Sequence, residues 1–316
     1  MPKPKVAMYW LAGCGGCEES ILDLGVDLFA LTDRADIVFW PIGMDARYRD
    51  LESLPDNSID VAMINGAVRD EAQERMARLL RRKSKIIIAH GICAQAGGVP
   101  GLAGFHGRDK ILQRAYQEVP SLESGGLPQA ETQTDHARLR LPSLLESLVP
   151  LDRVIAVDYY LPGCPPPPEL VKEALFTALD GGLSERGSVL AESVALCKTC
   201  PRLESKPENI HLKRFYRLYE VRWDPDRCFL EQGLICLGPA TRGGCGAQCL
   251  KVNMPCRGCF GPLDNVSDMG ARVVAMLATL LDETDPEKLE NIAAGVPDPA
   301  GLFYRYTLAA SVLKKR

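Results

Sequence analysis

No apolar run in this 316-residue chain approaches the ~20 residues that a membrane-crossing helix requires. The longest candidate, Val273–Leu281, stops after nine residues at Asp282, so a membrane span is not expected. The opening Met-Pro-Lys-Pro-Lys, followed by Val6–Trp10, lacks the apolar stretch and cleavage site of a secretory signal, and no twin-arginine pair precedes it. A cytoplasmic location is the expectation. Neither sign of charge is in excess, with 37 Lys and Arg against 41 Asp and Glu and a net charge of -4. Nucleic acid is therefore not an expected partner, because its backbone is bound through a broad basic field. Histidine is scarce: His90, His106, His136 and His211 show no metal-ligand spacing among themselves, and none pairs with a cysteine as a nucleophile-base couple would. Each reads as a structural or surface residue. Internal repeats and low-complexity tracts are missing too.

What the chain does have is cysteine, twelve in all. In a reducing compartment thiols stay unbridged unless a metal takes them, so metal ligation is a better account than a disulfide framework or scattered buried thiols.

The first half alternates β-branched runs with helical stretches, the pattern of a parallel α/β sheet. Strands are expected at Lys5–Leu11, Ala35–Pro41, Ile59–Asn65, Lys85–His90 and Arg153–Tyr159, and helices at Glu18–Leu31, Asp70–Arg82 and Glu169–Leu179. The sheet should be flavodoxin-like. Residues 120–150 are polar and read as a long excursion with one short helix. Beyond Gly181-Gly182 the strand signals thin out, and Cys, Gly and Pro crowd together between Cys197 and Pro262. Two units follow: residues 1–183 as the flavodoxin-like domain, and residues 184–316 as a smaller, mostly irregular and helical, cysteine-rich domain. Near the end, Asp268 suits the N-cap of a helix Met269–Leu281, and a helix Leu302–Leu313 would finish at Lys314-Lys315-Arg316, cations suited to a helix C-terminus.

In an open parallel sheet every strand-to-helix loop leaves along the carboxyl edge, and ligands bind there. Cys14 and Cys17 follow the first expected strand, Cys93 the strand ending at His90, and Cys164 the strand ending near Tyr159. All four should meet. Four thiolates suit either zinc or an iron-sulfur cluster, and spacing does not choose between them. Gly13-Cys14-Gly15-Gly16-Cys17 lets the backbone wrap closely around a ligand, with a helix N-terminus pointing at an anionic one. A dinucleotide fingerprint fails here, because Glu18 stands where its third glycine belongs and no acid ends the second strand. The glycines after Cys93 match no phosphate loop.

The other eight cysteines form four close pairs: Cys197 with Cys200, Cys228 with Cys236, Cys245 with Cys249, and Cys256 with Cys259. Eight thiolates make two four-ligand sites, hence three sites in total. Three structural zincs would be redundant in a chain long enough to bury a full core, whereas three redox centres form a wire. A zinc-stapled structural protein remains the competing class.

At this point the residues resemble a known family. Cys14-Gly-Gly-Cys17-Glu-Glu19-Ser20, Gly91-Ile-Cys93-Ala94 and Pro162-Gly-Cys164-Pro-Pro resemble the proximal-cluster motifs of [NiFe] hydrogenase small subunits, and more loosely the related 20 kDa cluster subunit of complex I. Cys236-Leu-Gly-Pro239, Gly244-Cys245 and Pro255-Cys256-Arg-Gly-Cys259 resemble the medial and distal segments, which the complex I relative lacks. Periplasmic members place a histidine ligand where Cys197 stands and a proline where Cys249 stands. Both departures imply all-cysteine sites, so the chain is most similar to the cytoplasmic, heterodisulfide-reductase-linked (methyl-viologen-reducing) type.

The resemblance implies three [4Fe-4S] clusters: a proximal one on Cys14, Cys17, Cys93 and Cys164, a medial one on Cys245, Cys249, Cys256 and Cys259, and a distal one on Cys197, Cys200, Cys228 and Cys236. Cys236 and Cys245 are close enough in sequence to exchange places. The same resemblance implies a non-catalytic electron-transfer subunit, partnered by a [NiFe] large subunit and by a further iron-sulfur or flavin acceptor subunit such as a heterodisulfide reductase or bifurcating partner. A quinone-linked complex I-type module is the alternative within that class. Glu19 matches a family glutamate but equally suits the helix dipole. Phe215, Tyr216, Tyr219 and Trp223 are expected as core, and Arg202, Arg242 and Arg257, beside cysteines, as charges that raise a cluster's potential or as solvated surface residues.

Overall fold

A computed structural model describes residues 2–123 and 126–313. Lys314-Lys315-Arg316, expected to end a helix, lie outside the described residues. Among the described residues the strands are β1 (Lys5–Trp10), β2 (Asp36–Phe39), β3 (Ile59–Asn65), β4 (Val68–Asp70), β5 (Ser84–His90), β6 (Glu131–Gln133), β7 (Arg138–Arg140), β8 (Leu144–Val149) and β9 (Tyr159–Leu161). Five of them form one parallel sheet in the order β2-β1-β3-β5-β9. Counting only those five, the order is 2-1-3-4-5, the flavodoxin-like arrangement expected from the sequence.

The sheet is buried on both faces, as parallel sheets must be. Because side chains alternate along a strand, Val6, Met8, Val61, Met63 and Ile88 join a core with Leu31, Val171 and Leu175 on one face. Ala7, Ala62, Ile64, Ile87 and Ala89 join Phe39 and Leu80 on the other. Each large aliphatic side chain so buried contributes roughly 1.5–3 kcal/mol. Helices Glu71–Lys83 and Pro168–Leu179 cover the sheet, close to the expected spans. The first is capped by Asp70, whose carboxylate accepts from the N–H groups of Ala72 and Gln73 at 2.9 Å each.

Four expectations need correction. The helix expected over Glu18–Leu31 is two helices, Gly16–Leu22 and Asp27–Arg34, parted by a turn through Gly25. The last strand begins at Tyr159, not Arg153. Asp158 precedes it, and its carboxylate takes the N–H of Ile87 at 2.8 Å while pairing with Arg81 and Arg186, so the ladder starts only afterwards. Residues 120–150 hold no helix among the described residues; β6 and β7 form an exposed hairpin closed by Thr134 and Ala137, and β8 pairs antiparallel with β4. The helix expected over Leu302–Leu313 is a short helix, Pro299–Phe303, and a single turn, Leu308–Ala310. Between them the carbonyl of Tyr306 accepts from Gly98 N–H at 3.1 Å, a tertiary bond that helix continuation would forfeit.

The second half builds its own core from Phe229, Leu234, Leu237, Leu250, Val273, Leu277, Phe303 and Leu308, with Cys236 and Cys256 buried in it. Its longest helices are Met269–Ala278 and Pro286–Ala294. Phe215, Tyr216 and Trp223 pack against this core as expected, whereas Tyr219 is 77% exposed.

Candidate metal centres

Cys14 follows β1, Cys17 lies in the first turn of helix Gly16–Leu22, Cys93 in that of helix Gly91–Ala96 after β5, and Cys164 follows β9. The carboxyl edge of the sheet thus brings the four together. Burial pushes the Cys17 thiol up, and neighbouring Cys93, Cys164 and Cys14 push it further. Cys93 is pushed up to about 12 by burial and then by Cys164 and Cys14. Glycines make the room. A Cβ on Gly91 would stand 2.4 Å from Cys17 Sγ, and one on Gly98 2.3 Å from Cys93 Sγ, and both residues have positive φ.

Around this group lie polar residues to which the sequence reading gave no part in the site. Glu18 is 2% exposed and accepts from Trp40 Nε1 and Asn65 Nδ2, at 2.5 Å each; burial raises its pKa while those two bonds oppose the rise. A polar Asn65 ending the buried strand β3 was the available signal. His90 is fully buried, its Nε2 3.4 Å from Ser20 Oγ, and burial lowers its pKa to about 3, so it is neutral. The other three histidines are exposed.

Cys197, Cys200, Cys228 and Cys236 form a second group. Cys197 is pushed up to about 11 by burial and by Cys200 and Cys228. Gly238 closes the nest, its would-be Cβ lying 3.3 Å from Cys197 Sγ and 3.6 Å from Cys236 Sγ. Cys245, Cys249, Cys256 and Cys259 form a third. Cys259 is pushed up by burial and then by Cys256, Cys245, Cys164 and Cys249. Cys256 is pushed up to about 11 mainly by burial, and its sulfur accepts from Gly258 N–H at 3.4 Å.

The nests stand in a row. Cys259 feels Cys164 of the first group, and Cys256 donates its N–H to Cys236 Sγ of the second at 3.3 Å. The group Cys245, Cys249, Cys256 and Cys259 therefore lies between the other two. Tyr306, which no sequence signal marked, sits at the first junction, pushed up to about 12 by burial and by Cys259 and Cys164. Cys236 borders both groups: Cys256 bears on it first and Cys197 after it, and Gly238 stands close to the sulfurs of both Cys236 and Cys197.

These thiols fit a cationic metal group: burial and mutual repulsion oppose the thiolate form, and iron bound to sulfur removes that opposition. Backbone N–H groups aimed at sulfur, as at Cys236 and Cys256, are the bonds an iron-sulfur site uses. All twelve cysteines are free of disulfides. Among the described residues no three His, Cys, Asp or Glu side chains converge to hold a single ion. A four-iron cube asks for something different, since each thiolate meets its own iron around a volume.

Fold and site together define the class. Residues 14–178 match the family model NADH ubiquinone oxidoreductase, 20 Kd subunit. The chain is 36% identical to the F420-non-reducing hydrogenase iron-sulfur subunit of Archaeoglobus profundus, over 99% of this chain and 98% of that one. It is likewise 36% identical to an F420-non-reducing hydrogenase vhu subunit of Methanocaldococcus jannaschii, over 99% and 97%. The [NiFeSe] hydrogenase structure from Desulfovibrio vulgaris Hildenborough shares the fold, with a TM-score of 0.52 at 19% identity, over 83% of this chain and 94% of that one. The chain belongs to the family of F420-non-reducing hydrogenase iron-sulfur subunits, a hydrogenase electron-transfer subunit within the wider 20 Kd family. Among the described residues no helix is long and apolar enough to cross a membrane.

Proposed function

We propose that this chain carries electrons from dihydrogen oxidation at the Ni-Fe centre of a separate large subunit to an acceptor subunit, through three [4Fe-4S] clusters. The row of three thiol nests carries this reading, because a wire needs its relays in series. Cys14, Cys17, Cys93 and Cys164 would hold the proximal cluster, Cys245, Cys249, Cys256 and Cys259 the medial one, and Cys197, Cys200, Cys228 and Cys236 the distal one. Such clusters supply one-electron uptake and release without bond changes. The protein's part is to hold sulfur in tight glycine-lined loops, to aim N–H groups at it and to exclude water.

Cys14 and Cys164 are exposed at the sheet edge, and the exposed Trp10 ring lies against Gly13 and Gly15 on either side of Cys14. An open nest with an exposed tryptophan beside it suits docking of the large subunit there. The exit would lie at the Cys197 nest, toward an iron-sulfur or flavin acceptor. The main core of each half is built largely from its own residues, which supports residues 1–183 and 184–316 as two units, joined where Ala309 packs with Ala67 and Leu148. Unbridged thiols suit the reducing cytoplasm.

The test is to purify the complex anaerobically and expose it to dihydrogen. Paramagnetic signals of reduced clusters should appear in this subunit without added reductant. Clusters that stay oxidised under dihydrogen, yet reduce with dithionite, would contradict the assignment.

A further inference from the structure

Arg202 sits two residues beyond Cys200 and is only 5% exposed. Its backbone N–H donates to Cys200 Sγ at 3.4 Å, in the second nest. Its guanidinium bonds the segment that follows Cys249 of the third: Nη1 donates to the carbonyl of Leu250, and Nη2 donates to Asn253 Oδ1 at 2.6 Å. The plane lies 4.5 Å from the centre of the Phe229 ring, and Nε is buried without a hydrogen-bond partner. Among the described residues Arg202 forms no ion pair, so a carbonyl, an amide and a ring are what surround its charge.

That arrangement is costly unless an anion is close, since a buried guanidinium cannot shed its proton. Arg242 shows the ordinary remedy. It is 1% exposed and is paired with Asp264. Lys206, which favours the charged form of Cys197, is exposed and screened by water. Arg202 has no carboxylate partner among the described residues and is buried from bulk solvent.

We propose that Arg202 is a shared counter-charge for the two nests of the second half, and that it raises the reduction potential of whatever clusters they hold. The inference rests on the electron-transfer reading above. A cluster held by four thiolates is anionic and gains a further negative charge when one electron enters, with no bond formed or broken. A fixed cation pinned between two such sites favours the reduced state of both. The nest of Cys14, Cys17, Cys93 and Cys164, which Arg202 does not touch, should not respond. Arg202 is a positioning and tuning residue, and it binds no substrate.

The experiment is potentiometry of the anaerobic complex with dithionite as reductant, each cluster followed by paramagnetic resonance, alongside iron and sulfide counts. Arg202→Gln should lower the potential of two clusters and leave the third in place, with about a tenfold change in the reduced-to-oxidised ratio at fixed solution potential, equal to about 59 mV for one electron. Arg202→Lys should restore most of the shift. Asn253→Asp supplies a second route, because it puts a carboxylate on the guanidinium's own partner and should lower the same two potentials even if Arg202→Gln loses iron. Unchanged potentials in Asn253→Asp with full iron, an equal shift in all three clusters, or Arg202→Lys behaving as Arg202→Gln would overturn the proposal. A wild-type complex without clusters would instead remove the electron-transfer reading itself.

Discussion

Cys249 lies in the first turn of helix Gln248–Lys251, exposed and beside Cys245. A proline in a helix's first turn removes no intrahelical hydrogen bond, so the fold should tolerate one at this position. Cys249→Pro should therefore convert one cluster to a three-iron form, with a loss of about one iron per chain. Paramagnetic resonance of the oxidised protein reads this directly, and an unchanged spectrum would remove Cys249 from the nest. The thiols themselves were readable from the sequence, since twelve cysteines, ten of them in close pairs, have few other uses in a reducing compartment. Their polar surroundings were not. Arg202 and Arg242, read in sequence as charges beside a cluster or as solvated surface residues, are both buried, and only the folded chain shows that Arg242 is paired while Arg202 has no ion pair among the described residues.

Helix Met269–Ala278 carries the core of the second half and depends on one carboxylate. Asp268 Oδ1 accepts from Ala271 N–H at 2.9 Å, and Oδ2 accepts from Val312 N–H at 3.0 Å, so the N-cap also anchors the chain's final turn. Asp268→Ala should cost roughly 1–2 kcal/mol of stability, read as a lowered denaturation midpoint with the cluster content retained. A change under about 0.3 kcal/mol would show that the cap contributes nothing measurable. This cap was visible in sequence, as was the span Ile59–Asn65, whose β-branched run pairs on both sides. The strand at Tyr159 was misplaced because Val154–Val157 has strand-like composition, while a carboxylate one residue later decides where pairing begins. The C-terminal helix was overextended for the same kind of reason: a bond to Gly98, distant in sequence, outweighs local propensity.

For the molecule as a whole, the sheet's carboxyl edge made the first nest foreseeable, since topology alone sends the loops bearing Cys14, Cys17, Cys93 and Cys164 there. No comparable rule governs the second half, where regular elements are few. There the cysteine loops are held by particular backbone bonds: Leu237 N–H to the Cys256 carbonyl at 3.0 Å, Leu196 N–H to Thr241 at 2.8 Å, and Arg242 N–H to Gly261 at 2.9 Å. The first of them sets Cys236 beside Cys256, and the Gly238 turn brings Cys236 near Cys197 as well, a placement that spacing in sequence does not reveal. The same folding sets the nests in series across the molecule, with Cys259 next to Cys164 and Cys256 next to Cys236.

Metal and acid-labile sulfide analysis of the anaerobically isolated subunit, with its visible spectrum, tests the iron-sulfur wire most directly. Three four-iron sites predict about twelve irons and as many sulfides per chain, in a brown protein whose cysteines resist alkylation while folded. Zinc in place of iron in a colourless sample, or an iron count near four with the second-half thiols freely alkylated, would contradict it.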